Sequence, residues 1–321
     1  MRALRYSRYG PPEVLEVVEI PEPVPRPGEL VVRVLAASLN PLDWKIRSGH
    51  LRYLPGSAGP PRGVGCDFAG EVAGSGGATP GFFPGARVFG TLSPFGRQGT
   101  CATTIVVGVD RVAPTPDALT DAMAAALPIA AGTAVQALAD HARLAAGHRL
   151  AVVGAAGGVG HFAVRYARHI GARVTGACGP DNVEFVRSLG ADAVVDYTRD
   201  DWRAIGAPYD TVFDTTGHTR WGDCRGAMVP EGVYLNTSPD ASSVAATMAD
   251  ALRARFTTRQ RIVPIALRGG AAAWRRLASL AAAGALVPHL RETVGLAGVA
   301  DAMRAMERGH GRGKIVVDVA R

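Results

Sequence analysis

The chain has 321 residues, 47% of them hydrophobic, and its 35 basic and 28 acidic side chains give a formal net charge of +7. This length predicts two domains, each with enough apolar residues for a core. The basic residues are scattered, which argues against nucleic-acid and membrane partners. No signal-peptide pattern stands at the N-terminus, so we expect a cytoplasmic location.

The first segment, residues 1–118, is predicted to form a β-rich domain. Short β-like runs, such as residues 30–35 and 87–89, alternate there with many prolines and glycines. The four cysteines of the chain lie far apart and form no CxxC pair. We therefore predict neither a disulfide framework nor a metal site.

From Leu119 onward, helices and strands alternate. The predicted strands lie at residues 150–153, 173–177, 193–196, 211–214, 233–236 and 262–266. Strands separated by helices or long crossovers predict a doubly wound parallel sheet over residues 119–268. Residues 269–321 then hold two predicted helices, 272–283 and 299–308, and a final strand, 314–319. This tail is too short to fold alone, so we expect it to pack onto the first domain.

Residues 150–177, LAVVGAAGGVGHFAVRYARHIGARVTGA, have the pattern of a strand, a glycine-rich turn, a helix and a second strand. Small residues in such a turn allow a tight bend, close approach of the backbone to a pyrophosphate, and close packing of the helix on the sheet. Amides at the helix N-terminus then favour phosphate groups. The predicted cofactor contacts in this turn are Ala156, Gly157, Gly158, Val159 and Gly160.

The end of the second strand indicates which dinucleotide binds. A site that prefers NAD carries Asp or Glu there to hold the ribose hydroxyls, whereas residues 176–179 read Gly-Ala-Cys-Gly. No carboxylate at this point repels a 2′-phosphate, so NADPH is the predicted cofactor, with Gly179, Asn182 and Tyr197 as candidate contacts. Asp181 opposes this prediction unless it faces solvent as a turn or cap residue.

Seven motifs in chain order carry a resemblance to a known family. They are AASLNPLDWKIRSG (36–49), GVGCDFAGEV (63–72), ALPIAAGTAVQAL (126–138), GAAGGVG (154–160), SLGADAVVDY (188–197), DTTG (214–217) and GKIVVDV (313–319). With these motifs the chain resembles the zinc-independent medium-chain dehydrogenase/reductases, specifically the quinone oxidoreductase or zeta-crystallin-like branch. The resemblance implies an α/β protein in which a GroES-like β-rich catalytic domain is split by a Rossmann domain, usually assembled as a homodimer.

The alcohol dehydrogenase branch of the same superfamily uses a catalytic zinc, and its ligand pattern is incomplete here. Where that branch carries its first cysteine ligand this chain has Asn40, and in place of Gly-His-Glu it has Gly65, Cys66 and Asp67. Two stray ligands seldom hold zinc, which needs three. Without a Lewis acid, we expect hydride transfer to a quinone or to the β-carbon of an enone, because such acceptors delocalise the incoming charge.

Family positions also indicate site residues. Asn40 and Asp43 match positions that border the nicotinamide and the substrate, although both residue types also favour the turn around Pro41. Thr133 matches a threonine that bonds the cofactor near its nicotinamide. We expect further cofactor contacts at Thr216, Asn236 and Thr237, because they follow predicted strand ends. The structural alternative for these residues is helix capping.

Only two of the basic residues are lysines, Lys45 and Lys314, and each lies in a family motif. A chain this rich in arginine keeps lysine where a compact, mobile ammonium matters. We expect Lys45 to border the substrate and assist protonation, and Lys314 to contact the cofactor. Many quinone reductases carry a tyrosine near Lys45, so Tyr53 is the alternative proton donor unless it only packs in its loop, and solvent is a third source.

The leading hypothesis is an NADPH-dependent, zinc-free oxidoreductase that acts on a small-molecule quinone or enone. One alternative is a biosynthetic tailoring enoyl reductase for a polyketide-like intermediate, whose pocket the loop at residues 49–63 would shape. The other is a non-catalytic NADPH-binding protein, which would bind the cofactor without oxidising it.

Overall fold

The computed structural model describes residues 1–53, 56–237, 241–309 and 311–321, with backbone only for 241–244. In these residues strands β1 to β16 span Arg2–Tyr6, Glu16–Glu19, Glu29–Leu39, Arg62–Gly63, Asp67–Ser75, Arg87–Thr91, Thr104–Gly108, Val112–Pro114, Arg149–Val153, Arg173–Cys178, Ala193–Asp196, Tyr209–Asp214, Met228–Asn236, Arg261–Pro264, Leu290–Gly295 and Lys314–Asp318. Helices α1 to α9 span Pro41–Arg47, Asp121–Ala125, Pro128–Val135, Gly160–Ile170, Val183–Ser188, Trp221–Cys224, Ala241–Thr257, Ala271–Ala282 and Val299–Glu307.

The chain divides into two compact units. Unit 1 comprises Met1–Gly132, Arg268–Gly284 and Pro288–Arg321, and unit 2 comprises Thr133–Leu267 and Ala285–Val287. The first boundary between the units lies after Gly132 and not after residue 118, because helix α2 packs against strands β3 and β5 of unit 1. The domain ranges 1–118, 119–268 and 269–321 stay a prediction. The loop at residues 49–63 includes residues 54 and 55, which lie outside the described part of the chain.

Unit 1 is built on a largely antiparallel sheet in the order β15-β16-β3-β5-β6-β8, with β7 also paired to β3. Along β3 buried and more exposed residues first alternate, and the last four residues are all buried. The final strand β16 pairs antiparallel with β3, so that Val316 lies opposite Ser38. The prediction that the C-terminal tail packs onto the first segment is therefore confirmed.

Unit 2 contains a parallel sheet in the order β11-β10-β9-β12-β13-β14. Strand β9, which is mostly buried and apolar, pairs with β12 at the centre of this sheet, and the strand order reverses between these two strands. The prediction of a doubly wound parallel sheet is confirmed. In such sheets ligands bind at the carboxyl ends of the strands near this reversal.

Within the described ranges, no helix combines the length and the apolar character needed to cross a membrane.

Candidate functional site

The glycine-rich turn of unit 2, residues 154–160, is folded tightly upon itself. Gly154 has a φ of +79°, and a Cβ there would lie 2.4 Å from Cγ2 of Thr216. A Cβ on Gly160 would lie 2.1 Å from the carbonyl oxygen of Gly154. Helix α4 begins at Gly160, so its N-terminus faces this turn. The compact backbone and the helix N-terminus fit the pyrophosphate of a dinucleotide.

A buried carboxylate orders the neighbouring turn, which follows strand β12. Asp214 has no solvent exposure. Its oxygens accept hydrogen bonds of 2.7–3.0 Å from the Thr216 hydroxyl and from the backbone amides of Thr216, Gly217 and Thr219. The Thr216 hydroxyl, a predicted cofactor contact, thus has a structural role in the turn. Sequence reasoning missed the role of Asp214, although the DTTG motif contained the signal.

The end of strand β13 lies beside this turn. The Thr237 amide donates to the Asp214 carbonyl at 3.2 Å. The Asn236 amide group donates to the Tyr234 hydroxyl at 3.3 Å, and that hydroxyl donates to the Thr219 carbonyl. Asn236 is buried, with 5% of its surface exposed. The carboxyl edge of the sheet therefore brings together the glycine turn, the Asp214 turn and the predicted residues Asn236 and Thr237.

The residues predicted to receive the 2′-phosphate lie at the ends of strands β10 and β11. A Cβ on Gly179 would lie 3.2 Å from the Tyr197 hydroxyl, and the Tyr197 side chain is 48% exposed. Asn182 is buried, and its backbone amide donates to the Gly179 carbonyl at 3.0 Å. Asp181 is exposed. The structure thus brings Gly179, Asn182 and Tyr197 together, and their contact with a cofactor stays a prediction.

Thr133 lies in helix α3 and is buried, with 7% of its surface exposed. Its role beside the nicotinamide stays a prediction.

Unit 1 contains a cluster of buried polar side chains, hereafter the Asp67 cluster, formed by Asn40, Asp43, Cys66, Asp67 and Lys314. The Lys314 ammonium donates to the Asn40 amide oxygen at 2.6 Å and to the Leu39 carbonyl at 2.9 Å. It also lies 3.9 Å from Oδ2 of Asp67. Asn40 in turn donates from Nδ2 to the same Asp67 oxygen at 2.9 Å. The cluster therefore fixes both ends of the Asn40 side-chain amide.

The fold explains why these residues meet. Strand β3 pairs with β5 so that Ser38 lies opposite Asp67, and it pairs with β16 so that Leu39 lies opposite Ile315, next to Lys314. Helix α1 begins directly after Asn40, and the Asp43 carboxylate accepts the Asn40 backbone amide at 2.7 Å. Asn40 and Asp43 thus cap the turn at Pro41 and also belong to the Asp67 cluster.

Burial dominates the electrostatics of the Asp67 cluster. Loss of hydration raises the pKa of Asp43 to about 6 and that of Asp67 to about 7, although the nearby Lys314 ammonium opposes both shifts. Burial likewise lowers the pKa of Lys314. The Cys66 thiol donates to Asp43 at 3.4 Å, and burial together with the two carboxylates raises its pKa well above the ordinary value.

The donor set of the Asp67 cluster does not fit a zinc ion. In the described residues, no three His, Cys, Asp or Glu side chains come together as metal ligands. An amide stands at Asn40, and the Lys314 ammonium already supplies positive charge beside Asp67. A divalent cation there would meet electrostatic repulsion and too few ligands. Whether the protein works without a metal stays a prediction.

A small cavity of about 10 Å³ adjoins the Asp67 cluster, lined in part by Tyr6, Asp43, Arg62 and Cys66. This volume is sufficient for about one water molecule. The Tyr6 hydroxyl is buried and has no hydrogen-bond partner among the described residues. Sequence reasoning missed Tyr6 and Arg62, because nothing in the local pattern places them beside Asp43.

The two predicted proton donors lie at the surface of unit 1. Lys45 is half-buried in helix α1, with Nζ 5.5 Å from the centre of the Trp44 ring. Tyr53 is 81% exposed, and its hydroxyl accepts from Arg52 at 2.6 Å. Lys314, predicted to touch the cofactor, has its ammonium engaged within the Asp67 cluster. The catalytic role of Lys45 or Tyr53 and the cofactor contact of Lys314 stay predictions.

Comparison with known proteins covers nearly the whole chain. The alcohol dehydrogenase GroES-like domain family matches residues 26–117, and the zinc-binding dehydrogenase family matches residues 189–317. The chain is 33% identical to the chloroplast envelope quinone oxidoreductase homolog of Arabidopsis thaliana, over 99% of this chain and 98% of that protein. It is 30% identical to the mitochondrial NAD(P)H oxidoreductase RTN4IP1 of Bos taurus, over 99% and 89% of the two chains.

Among solved structures, the quinone oxidoreductase from Coxiella burnetii has a similar fold. The two chains superpose with a TM-score of 0.87 at 27% sequence identity, over 99% of each.

Proposed function

Because this chain belongs to the medium-chain dehydrogenase/reductase family and is an NAD(P)H oxidoreductase, we propose that it transfers a hydride from NADPH to a quinone or to the β-carbon of an enone. The family resemblance that the motifs indicated is thereby confirmed. The relative from Arabidopsis thaliana and the structure from Coxiella burnetii carry the name quinone oxidoreductase. The acceptor and the choice of NADPH over NADH are our proposal.

The observation that carries the proposed acceptor is the composition of the Asp67 cluster. A ketone or an alcohol needs a strong electrophile at its oxygen during hydride transfer, which zinc supplies in metal-dependent dehydrogenases. Here an ammonium, Lys314, stands beside Asp67, and Asn40 offers an amide instead of a thiolate. Quinones and enones need less assistance, because they spread the incoming negative charge over a conjugated system.

The cofactor proposal is supported by the carboxyl edge of the unit 2 sheet. The glycine turn and the N-terminus of α4 suit a pyrophosphate, and no carboxylate stands among residues 176–179. Gly179 and Tyr197 would then border the 2′-phosphate. When bound, NADPH supplies the hydride, and the protein has to bind, orient and shield both reactants.

The acceptor anion formed by hydride transfer needs a proton. Lys45 carries an ammonium on a long, half-buried side chain of helix α1, and Tyr53 carries a phenol at the surface. We assign Lys45 the role of holding the developing anion or donating the proton, with Tyr53 as the alternative. Lys45→Ala then lowers kcat, while Tyr53→Phe, which keeps the ring and removes only the hydroxyl, leaves it unchanged. Equal turnover of Lys45→Ala with every accepted substrate contradicts the assignment.

The deciding experiment is a matrix of NADPH and NADH against quinones, enones, enoyl thioesters and simple ketones. We expect NADPH oxidation with a quinone or an enone, and none with simple ketones. Turnover of a ketone or an alcohol that a chelator abolishes would overturn the proposed metal-free reaction. Tight NADPH binding without oxidation by any acceptor would show instead a protein that binds the cofactor and does not catalyse.

A further inference from the structure

The imidazole of His161, in the first turn of helix α4, lies against the glycine turn. Its Nδ1 is 2.9 Å from the carbonyl oxygen of Gly157, and the backbone amide of His161 donates to the same oxygen at 3.1 Å. Because a carbonyl oxygen can only accept, Nδ1 carries the proton of the side-chain bond. The Gly157 carbonyl is thus held by two donors of one residue, one from the backbone and one from the side chain.

The surroundings of His161 keep this side-chain bond in place. The residue has no solvent exposure, and its ring packs on the ring of Phe162 with the two centroids 4.0 Å apart. Burial removes water as a competing partner, so the bond to Gly157 is stronger than the same bond at the surface. The side chain therefore holds the Gly157 carbonyl in one direction.

The direction of the Gly157 carbonyl determines the direction of the Gly158 amide. The peptide bond between the two residues is trans, so its C=O and N–H lie in one plane and point in opposite directions. A carbonyl that points along α4 toward His161 therefore turns the Gly158 amide outward at the helix N-terminus. In the described part of the chain, no backbone carbonyl accepts from the amides of Gly158 and Val159. Both amides can donate to a ligand.

Two glycines in succession make this peptide easy to rotate. Gly157 and Gly158 lack the Cβ that restricts the backbone of other residues, and both are partly exposed. The backbone bond from His161 to Gly157 stands at the N-terminal end of α4, and helix ends fray. The side-chain bond of His161 is a second restraint at the point where the backbone alone is least restrained.

We propose that His161 is a positioning residue for the dinucleotide, and that its bond to Gly157 aims the Gly158 amide at the pyrophosphate. A second donor on the Gly157 carbonyl also polarises this peptide, which makes the Gly158 amide a stronger donor to phosphate. His161 itself lies beneath the turn and acts only through the backbone. Our proposal rests on the proposed function only in that a dinucleotide occupies the glycine turn, and it holds for NADPH and NADH alike.

Two substitutions of the same shape separate the hydrogen bond from the packing. The branched ends of leucine and asparagine side chains take the places of Nδ1 and Cδ2 of the imidazole, and only asparagine carries a donor there. With whichever of NADPH and NADH the parent protein binds more tightly, His161→Leu should weaken binding and raise KM about tenfold, with kcat changed less than about twofold. His161→Asn should stay within about threefold of the parent protein.

His169→Leu is the matched control for these variants. His169 lies in the last turn of the same helix and is exposed, so its replacement leaves the glycine turn untouched. We expect the affinity of the parent protein. Circular dichroism spectra of all three variants should match that of the parent protein.

Fragments of the cofactor locate the effect at the pyrophosphate. The pair is 2′-phospho-ADP-ribose and 2′-AMP for a protein that prefers NADPH, and ADP-ribose and adenosine for one that prefers NADH. Only the first member of each pair contains the pyrophosphate, so His161→Leu should weaken its binding and leave that of the second member unchanged. A general disturbance of unit 2 would weaken both.

The outcomes separate this proposal from the proposed function. Parent affinity in His161→Leu, an equal loss for both fragments, or a loss in His161→Asn as large as in His161→Leu overturns the positioning role and leaves the proposed function standing. A parent protein that binds neither NADPH nor NADH overturns both.

Discussion

Lys314 donates a hydrogen bond of 2.6 Å to the side-chain oxygen of Asn40, a residue 274 positions earlier in the chain. This bond connects the last strand of unit 1 to the start of helix α1. Because Asn40 also donates to Asp67, the ammonium, the amide and the carboxylate form one buried network. Removing any one of these three groups leaves the other two without a hydrogen-bond or charge partner in a buried environment of low polarity.

Lys314→Met should therefore be strongly destabilising. The variant keeps an unbranched chain of similar length but leaves Asp67 and the Asn40 oxygen without their cationic partner, which costs about 3–5 kcal/mol in the free energy of unfolding. Urea denaturation measures the loss. Lys45→Met is the matched control, because Lys45 is half-buried on α1, and we expect a change within about 0.5 kcal/mol. Equal effects of the two substitutions would contradict the structural importance of the Lys314 network.

Asp43 should make stability depend on pH. Burial raises its pKa from an ordinary 3.8 to about 6, so the folded state holds this proton more tightly than the unfolded chain. The stabilising contribution of the protonated form is complete below about pH 4 and is lost as the pH rises through about 6. Asp43→Asn removes this contribution. Between pH 4 and neutrality, we expect the free energy of unfolding of the parent protein to fall by roughly 2–3 kcal/mol relative to that of the variant.

The measurement is the free energy of unfolding of both proteins across this pH range. Carboxylates distant from Asp43 cancel in the difference, whereas the pKa of Asp67 is also raised by the Asp43 charge and therefore changes in the variant. A difference that does not change with pH would contradict the raised pKa of Asp43.

Gly160→Ala tests the glycine turn. The added methyl would lie 2.1 Å from the Gly154 carbonyl oxygen and 2.8 Å from Cα of Ala155, both backbone atoms that cannot move independently. We expect a loss of about 1–3 kcal/mol in the free energy of unfolding and weaker NADPH binding in a fluorescence titration. Gly222→Ala is the control, since a Cβ there meets nothing within 4 Å. Normal NADPH binding by Gly160→Ala would show that the turn does not hold the cofactor.

Asp181→Asn tests the proposed cofactor preference. Asp181 is exposed beside Asn182 and Gly179, where we propose that the 2′-phosphate binds. Removing its negative charge should lower KM for NADPH about fivefold, the effect of roughly 1 kcal/mol of repulsion in water, without changing KM for NADH. The control Glu231→Gln neutralises an exposed acid near the start of strand β13, away from its carboxyl end. An equal change for both cofactors would contradict the proposed phosphate position.

The sequence by itself determined the sheet of unit 2, the glycine turn and the packing of the C-terminal tail in unit 1. The sheet and the glycine turn follow from local patterns: an apolar run of strand length, a small-residue turn at fixed spacing and a helix of suitable length. The packing of the tail follows from its length, which is too short for it to fold alone. The motif resemblance also identified the family. Asn40, Asp43 and Lys314 were chosen as separate site residues, and only the packed strands β3, β5 and β16 joined them through Asp67.

The tertiary structure alone decided which face of helix α7 is buried. The sequence of α7 places small and large apolar residues on different sides, and composition cannot tell which side meets the sheet. Contacts between distant segments and the choice of buried face depend on how the whole chain packs, so a local pattern does not contain them.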